Sequence, residues 1–131
     1  MTGLVIKSPW IDLILQGRKT WEIRGKNTIQ RGRIALIKSK SGCIIGTCRL
    51  VDCVGPLSLA QLRETTDKHH IPLEGLSGLP YEKTYAWVMA EPKLLHQPIP
   101  YKHPSGAVIW VRLAAGNVPD RFSEIESDGL P

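Results

Sequence analysis

The sequence predicts an α+β domain built on a small β-barrel of about five to six strands with two or three short helices. Three observations carry that expectation. Segments such as Thr20-Trp21-Glu22-Ile23-Arg24 alternate polar and apolar residues, the mark of half-buried strands. Helical spacing is confined to two short stretches, one after Ser8-Pro9 and one after Ser58. So few strands also hide their backbone edges most economically by closing on themselves. At 131 residues the chain is one ordinary domain in size, and it holds no internal repeat.

Each element has a local reason. Leu4 to Lys7 is a first strand. Ser8 suits an N-cap with Pro9 at the first helical position, and Trp10, Leu13 and Ile14 then follow a helical spacing to Gln16. Gly17 is placed to end that helix in a left-handed conformation. In the strand Thr20–Arg24, Trp21 and Ile23 face one way, while Thr20, Glu22 and Arg24 face the other. A basic turn around Lys26–Gly32 leads to a strand at Ile34–Lys38. Ser39–Gly42 is a hairpin turn into a long strand from Cys43 to Val54, where Gly46 marks a bulge or bend.

Gly55-Pro56 stops that strand, and Ser58 caps a helix that continues towards Lys68. Pro72, Gly75, Gly78 and Pro80 make residues 70–83 a loop or lid. Tyr85–Leu95 is a strand in which Pro92 must occupy an edge, bulge or break. Pro98–Gly106 is a loop and Ala107–Leu113 the last strand. Residues 1–113 form the predicted domain. Residues 114–131, with four acids and one arginine, form an acidic tail expected to be loosely attached.

Composition excludes several classes of function. Hydrophobic residues are 42% and charged residues 22%, as in globular proteins that fold in water. No run approaches the roughly 20 apolar residues of a membrane span. The start lacks a basic segment followed by a long apolar one, so a cytoplasmic location and no membrane partner are expected. Cys43, Cys48 and Cys53 are odd in number and read as small core hydrophobes; on a straight strand the outer two lie about 33 Å apart. His69-His70 has no third ligand at metal spacing, and no metal or other cofactor is expected. Phosphate-binding loops, dinucleotide fingerprints and serine-hydrolase elbows are absent from the sequence.

The net charge of +5 is focused. Arg18, Lys19, Arg24, Lys26, Arg31, Arg33, Lys38 and Lys40 crowd one window with Glu22 as its sole acid, while the other nine basic residues face eleven acids. Such a patch attracts phosphates or other anions, unless it is merely a solvated face.

Gly17-Arg18-Lys19-Thr20-Trp21-Glu22-Ile23-Arg24 matches the pattern G-x-K-x-x-E-x-R at all four fixed positions. With the preceding Pro-Trp helix, the strand Arg31–Leu36 and the segments Tyr85–Met89, Glu91-Pro92 and Pro98–Tyr101, it resembles the ASCH domain family over about Leu4–Leu113. The resemblance implies a PUA-like barrel with a cleft beside the motif and an association with RNA. Some members are similar to small amidohydrolases that deacetylate N4-acetylcytidine, and another is linked to RNA cleavage. The catalytic lysine of the deacetylating members matches Lys19. Their catalytic threonine falls at Glu22, and their acidic residue lies where this chain offers His69, His70 and Glu74.

The residues themselves support two readings of the cleft. In the first it binds RNA or a modified nucleoside, using Trp10, Arg18, Lys19, Glu22, Arg24, Lys26 and Arg33. Trp10 would stack on a base, a carboxylate at Glu22 would accept from a base amine, and Arg24 would grip carbonyls or phosphate. In the second, the same cleft is a hydrolase with Lys19 as base or nucleophile, Glu22 polarising the substrate and Arg24 steadying the developing anion. The bland alternatives are a surface lysine at position 19 and a Glu22–Arg24 ion pair that merely fills the barrel mouth. Trp21, Trp87 and Trp110 read as core, and His69-His70 as an exposed helix end. Tyr85, Tyr101 and His103 have no place fixed by the sequence, and no protein partner is predicted.

Overall fold

The computed structural model describes residues 1–107 and 109–127. Val108, within the predicted last strand, and residues 128–131 of the predicted tail lie outside the described residues. Six strands form one curled sheet: β1 (Thr2–Ile6), β2 (Trp21–Arg24), β3 (Gly32–Lys38), β4 (Cys43–Val54), β5 (Tyr85–Pro100) and β6 (Trp110–Arg112). Their order is β2-β5-β4-β3-β1-β6, antiparallel throughout except for the β1–β3 pair. No ladder joins β2 to β6 among the described residues, so the sheet is a half-barrel with an open seam between its end strands.

Irregularities in the long strands curl the sheet. The β4–β5 ladder shifts register at three places, one of them at Gly46, the predicted bulge. Gly46 also has no room for a side chain, since a Cβ there would come 2.7 Å from the carbonyl oxygen of Lys93 and would run into Leu15. Another shift falls between Thr47 and Arg49, opposite Glu91-Pro92, where Glu91 has φ of 50° and Pro92 donates nothing to the ladder. β5 therefore continues past the predicted Leu95 to Pro100 instead of yielding to a loop at Pro98.

Helix α1 (Trp10–Leu15) seats Ile11 and Ile14 on the inner face, against Leu4, Ile6, Ile34, Leu36 and Leu50. Its start departs from the expected cap. Pro9 holds the N-cap position after a cis Ser8-Pro9 bond, and the Ser8 hydroxyl bonds to the Asp12 carboxylate instead of a backbone amide. The second predicted helix is two, α2 (Leu59–Arg63) and α3 (Thr66–His69). Ser58 caps α2 as expected and forms a reciprocal capping box with Gln61. Residues 70–83 include a 3-10 turn, Leu73–Gly78, whose Leu76 packs with Ile23, Leu62 and Ala86. Trp21, expected in the core, is only partly buried and packs against this cluster.

Two expectations are corrected here. The segment after Leu113 is not loosely attached over its described part. Phe122 and Ile125, from a 3-10 turn and α4 (Ser123–Ser127), are buried against Ala35, Ile37, Ile44 and Val111 on the outer face of the sheet. This explains why Ile34-Ala35-Leu36-Ile37 is apolar without alternation: both faces of β3 are covered, one by α1 and the other by the C-terminal segment.

His69, expected to be exposed, is fully buried. Its Nδ1 accepts from the Ile71 amide at 2.9 Å, which leaves the proton on Nε2 to donate to the Leu62 carbonyl at 2.7 Å. Burial holds its pKa below the usual 6.5.

Phe122→Ala should destabilise the fold by about 3–5 kcal/mol, the range for emptying a buried phenylalanine site. Urea unfolding measures this, and a loss under about 1 kcal/mol would mean that the segment is dispensable. His69 sets a second expectation. Its pKa is lowered in the folded state, so its contribution is complete above about pH 6.5 and is lost as pH falls below it. The slope is at most about 1.4 kcal/mol per pH unit for one group. Unfolding curves from pH 7 to 5 should be steeper in pH for the wild type than for His69→Leu, and parallel profiles would refute the assignment.

Candidate functional site

The site begins with a chain reversal. Gly17 has φ of 78°, and the amides of Arg18 and Lys19 both return to the Leu13 carbonyl, at 3.0 and 3.1 Å. This closes α1 as the sequence predicted and tucks Lys19 beneath it. Lys19 is 2% exposed and so is no surface lysine. Its Nζ donates to the His69 carbonyl at 2.5 Å, stands 3.7 Å from Glu22 Oε1, and lies 5.0 Å from the centroid of the Trp10 ring. Burial lowers its pKa from 10.5 to about 8, outweighing the attraction of Glu22 that raises it.

β2 supplies the rest. Glu22 and Arg24 share a strand face, as the alternation predicted, but Glu22 is buried, at 6% exposed, and Arg24 half-buried. Arg24 Nε and Nη2 donate to Glu22 Oε2 at 3.0 and 2.9 Å, and Nη2 also reaches the Val5 carbonyl on β1 at 3.0 Å. The guanidinium sits 5.6 Å from the centroid of Trp87. Glu22 is thus clamped between a lysine and an arginine, with one carboxylate oxygen towards each. Arg24 Nη1 has no hydrogen bond among the described residues.

These groups face a cavity of about 500 Å³, within the span of roughly 300–1,000 Å³ that small-molecule sites occupy. Trp10, Lys19, Glu22 and Arg24 all line it, so the ion pair and the cleft are one structure. Ile71, Leu79 and Tyr81 form another wall. The predicted lid therefore carries cleft-lining residues in this structure. Lys7, just after β1, lines the cavity as well.

The other predicted ligand residues are dispersed. Arg18 is exposed and lines no described cavity. Lys26, also exposed, lines an adjoining cavity. Arg33 lies on β3, donates to Thr47 Oγ1 at 2.8 Å and takes no part in the cleft. Of His69, His70 and Glu74, only His69 touches the charged group, and it does so through its carbonyl. Tyr101 and His103 bond to each other at 2.8 Å, away from the cleft. Lys7 and Tyr81 were missed. Lys7 abuts the predicted first strand, a signal that could have been used, whereas Tyr81 follows a Gly/Pro-rich stretch with no periodicity to place it.

Comparison with known proteins agrees with this architecture. The structure is similar to that of ASCH from Zymomonas mobilis, with TM-score 0.65 and 16% identity over 96% of this chain and 93% of that one. It is similar also to a tyrosine-to-phenylalanine variant of that protein, with TM-score 0.67 and 17% identity over 96% of each chain. At such identities the likeness establishes the fold. No curated protein matches in sequence. A family model described as the ASCH domain matches residues 4–99, which is most of the chain and includes the whole Gly17–Arg24 motif; the protein belongs to the ASCH family.

Proposed function

We propose that the cleft over Lys19, Glu22 and Arg24 binds a nucleoside unit, either free and modified or within RNA. The observation that carries this reading is the buried chain Lys19–Glu22–Arg24 lining a cavity beside the half-buried Trp10. An indole can stack on a base, a carboxylate can accept from an exocyclic amine, and Arg24 Nη1 keeps donors for a carbonyl or phosphate. Glu22 accepts a forked pair from Arg24 on Oε2 and faces Lys19 at ion-pair distance through Oε1, which leaves lone pairs for a further donor.

The lowered pKa of Lys19 favours a second reading, hydrolysis in the same cleft. At a pKa of about 8, roughly one Lys19 in ten is neutral at pH 7, against fewer than one in a thousand for an ordinary lysine. A neutral Lys19 would take a proton from water as the hydroxide adds to the acyl carbon of an acylated base amine. Arg24 would meet the developing oxyanion. Collapse would break the C–N bond, with Lys19 returning its proton to the departing amine and leaving the free acid and base. Cleavage of RNA by a similar proton transfer from a 2′-hydroxyl is the other form of this reading.

Turnover of N4-acetylcytidine, or of a short single-stranded RNA, followed by mass spectrometry should fall by at least about a hundredfold in Lys19→Met. The rate constant kcat/KM should rise with pH, with its midpoint near 8, since the base works unprotonated. No turnover by the wild type leaves the binding reading, which requires Lys19-dependent affinity for nucleoside or RNA; unchanged affinity in Lys19→Met would remove both.

Burying a lysine cation also costs stability, which gives a check independent of activity. Its folded-state pKa is depressed, so the penalty is complete below about pH 8 and vanishes above about 10.5. Lys19→Met should therefore be more stable than the wild type at pH 7, by up to about 3 kcal/mol, with the difference shrinking towards pH 10. A less stable variant at pH 7 would show that Lys19 is a structural group.

A further inference from the structure

The Lys19 cleft has a neighbour. A second cavity, of about 540 Å³, adjoins it and shares Arg24, Tyr81 and Ile109 with it. Its aromatic side is Trp87 and Trp110, stacked with centroids 5.4 Å apart and planes within 10°. Trp110 is half-buried, whereas Trp87 lies beneath the surface. At the rim stand Lys26, Asn27 and Glu82, all exposed. Their side chains make no hydrogen bond or ion pair among the described residues; the one bond at Lys26 is to its carbonyl, from Trp87 Nε1.

This is a different chemistry from that of the first cleft, where every charged group on β2 is already engaged. An aromatic surface bordered by an amide, a carboxylate and an ammonium group suits a base, whose face stacks while its edge exchanges hydrogen bonds. Two of the three shared residues bring polar groups to the junction. The Tyr81 side chain packs against Gly25, close enough that a Cβ there would come 2.7 Å from its ring, and its hydroxyl is unbonded among the described residues. Arg24, on both cavities, keeps Nη1 free while Nε and Nη2 are held by Glu22 and Val5. A guanidinium fixed on one side with free donors on the other is suited to an oxyanion at the junction.

We infer that the second cavity is a subsite for the nucleotide next to the one in the Lys19 cleft, with the linking phosphate at Arg24. The ligand is then single-stranded RNA of at least two nucleotides, and a free nucleoside fills half of the site. This rests on reading the first cleft as a nucleoside site.

The test is a tryptophan-fluorescence titration with three probes: cytidine, cytidine 3′,5′-bisphosphate and tricytidylate. The trinucleotide carries 2′-O-methyl groups to prevent cleavage and presents a neighbour on either side. Tricytidylate should bind at least about tenfold more tightly than the bisphosphate, because a stacked base adds to the phosphate charge. Trp110→Leu and the doubly substituted Asn27→Ala/Glu82→Ala protein should each reduce that margin and leave cytidine affinity unchanged. The second variant alters only exposed side chains, so it keeps the test decisive if the first unfolds. Equal binding of bisphosphate and trinucleotide would overturn the subsite, as would a margin that the folded variants do not alter. Binding of cytidine with no further gain would overturn the subsite alone, and binding of none of the three would overturn the nucleoside reading with it.

Discussion

The seam where the sheet fails to close determines where this protein can act. With no ladder between β2 and β6 among the described residues, side chains bridge the seam from each end strand to the neighbour of the other. Arg24 on β2 donates to the Val5 carbonyl on β1, and Trp87 on β5 stacks on Trp110 on β6. A ladder would have filled the gap with backbone hydrogen bonds; side chains leave room between them. Both cavities lie along this seam, and residues on them come from β1, β2, β5, β6, the start of α1 and the neighbouring loops. The same side chains that hold the half-barrel together thus line the space available to a ligand.

That arrangement explains the charge pattern within the motif. A lone buried lysine or arginine would be strongly disfavoured, and a carboxylate between the two offsets much of the cost. Glu22 neutralises only one positive charge, however, so the cluster keeps a net charge of +1 in a poorly hydrated place. Burial pushes the Lys19 pKa down to about 8, while half-buried Arg24 keeps Nη1 without a hydrogen bond among the described residues. The cost of that uncompensated charge lies in the fold.

The fold was legible where local chemistry dictated it. Gly17 had to leave the helix, Gly46 and Pro92 had to interrupt a ladder, and Thr20–Arg24 had to alternate; each did. Gly17-x-Lys19 and Glu22-x-Arg24 could also be read as a turn followed by one strand face. Burial was less visible, because the groups that cover a residue are distant in sequence. Lys19 is covered by α1 and by the His69 carbonyl fifty positions away. The outer face of β3 is covered by Phe122 and Ile125, although the unbroken run Ile34–Ile37 was a signal that something must lie there. The basic window misled for a related reason. Charge counted along the chain ignores which side of a strand each residue takes, and Arg33 on β3 turned to Thr47 instead of joining the cleft.

The motif spacing follows from that geometry. Gly17 reverses the chain, and two residues later Lys19 lies under the helix that has just ended. The strand that starts at Trp21 returns Glu22 and Arg24 to the same side, two residues apart, so that one carboxylate reaches both cations. Moving Glu22 by one residue would turn it into the cluster of Ile23, Leu62 and Leu76 and leave Lys19 and Arg24 facing each other unshielded. A lengthened turn would lift Lys19 from its seat between Trp10 and the His69 carbonyl. Four fixed positions within eight residues therefore encode a complete ion-pair chain, while the walls that give it a cavity are supplied by distant segments such as Ile71–Tyr81.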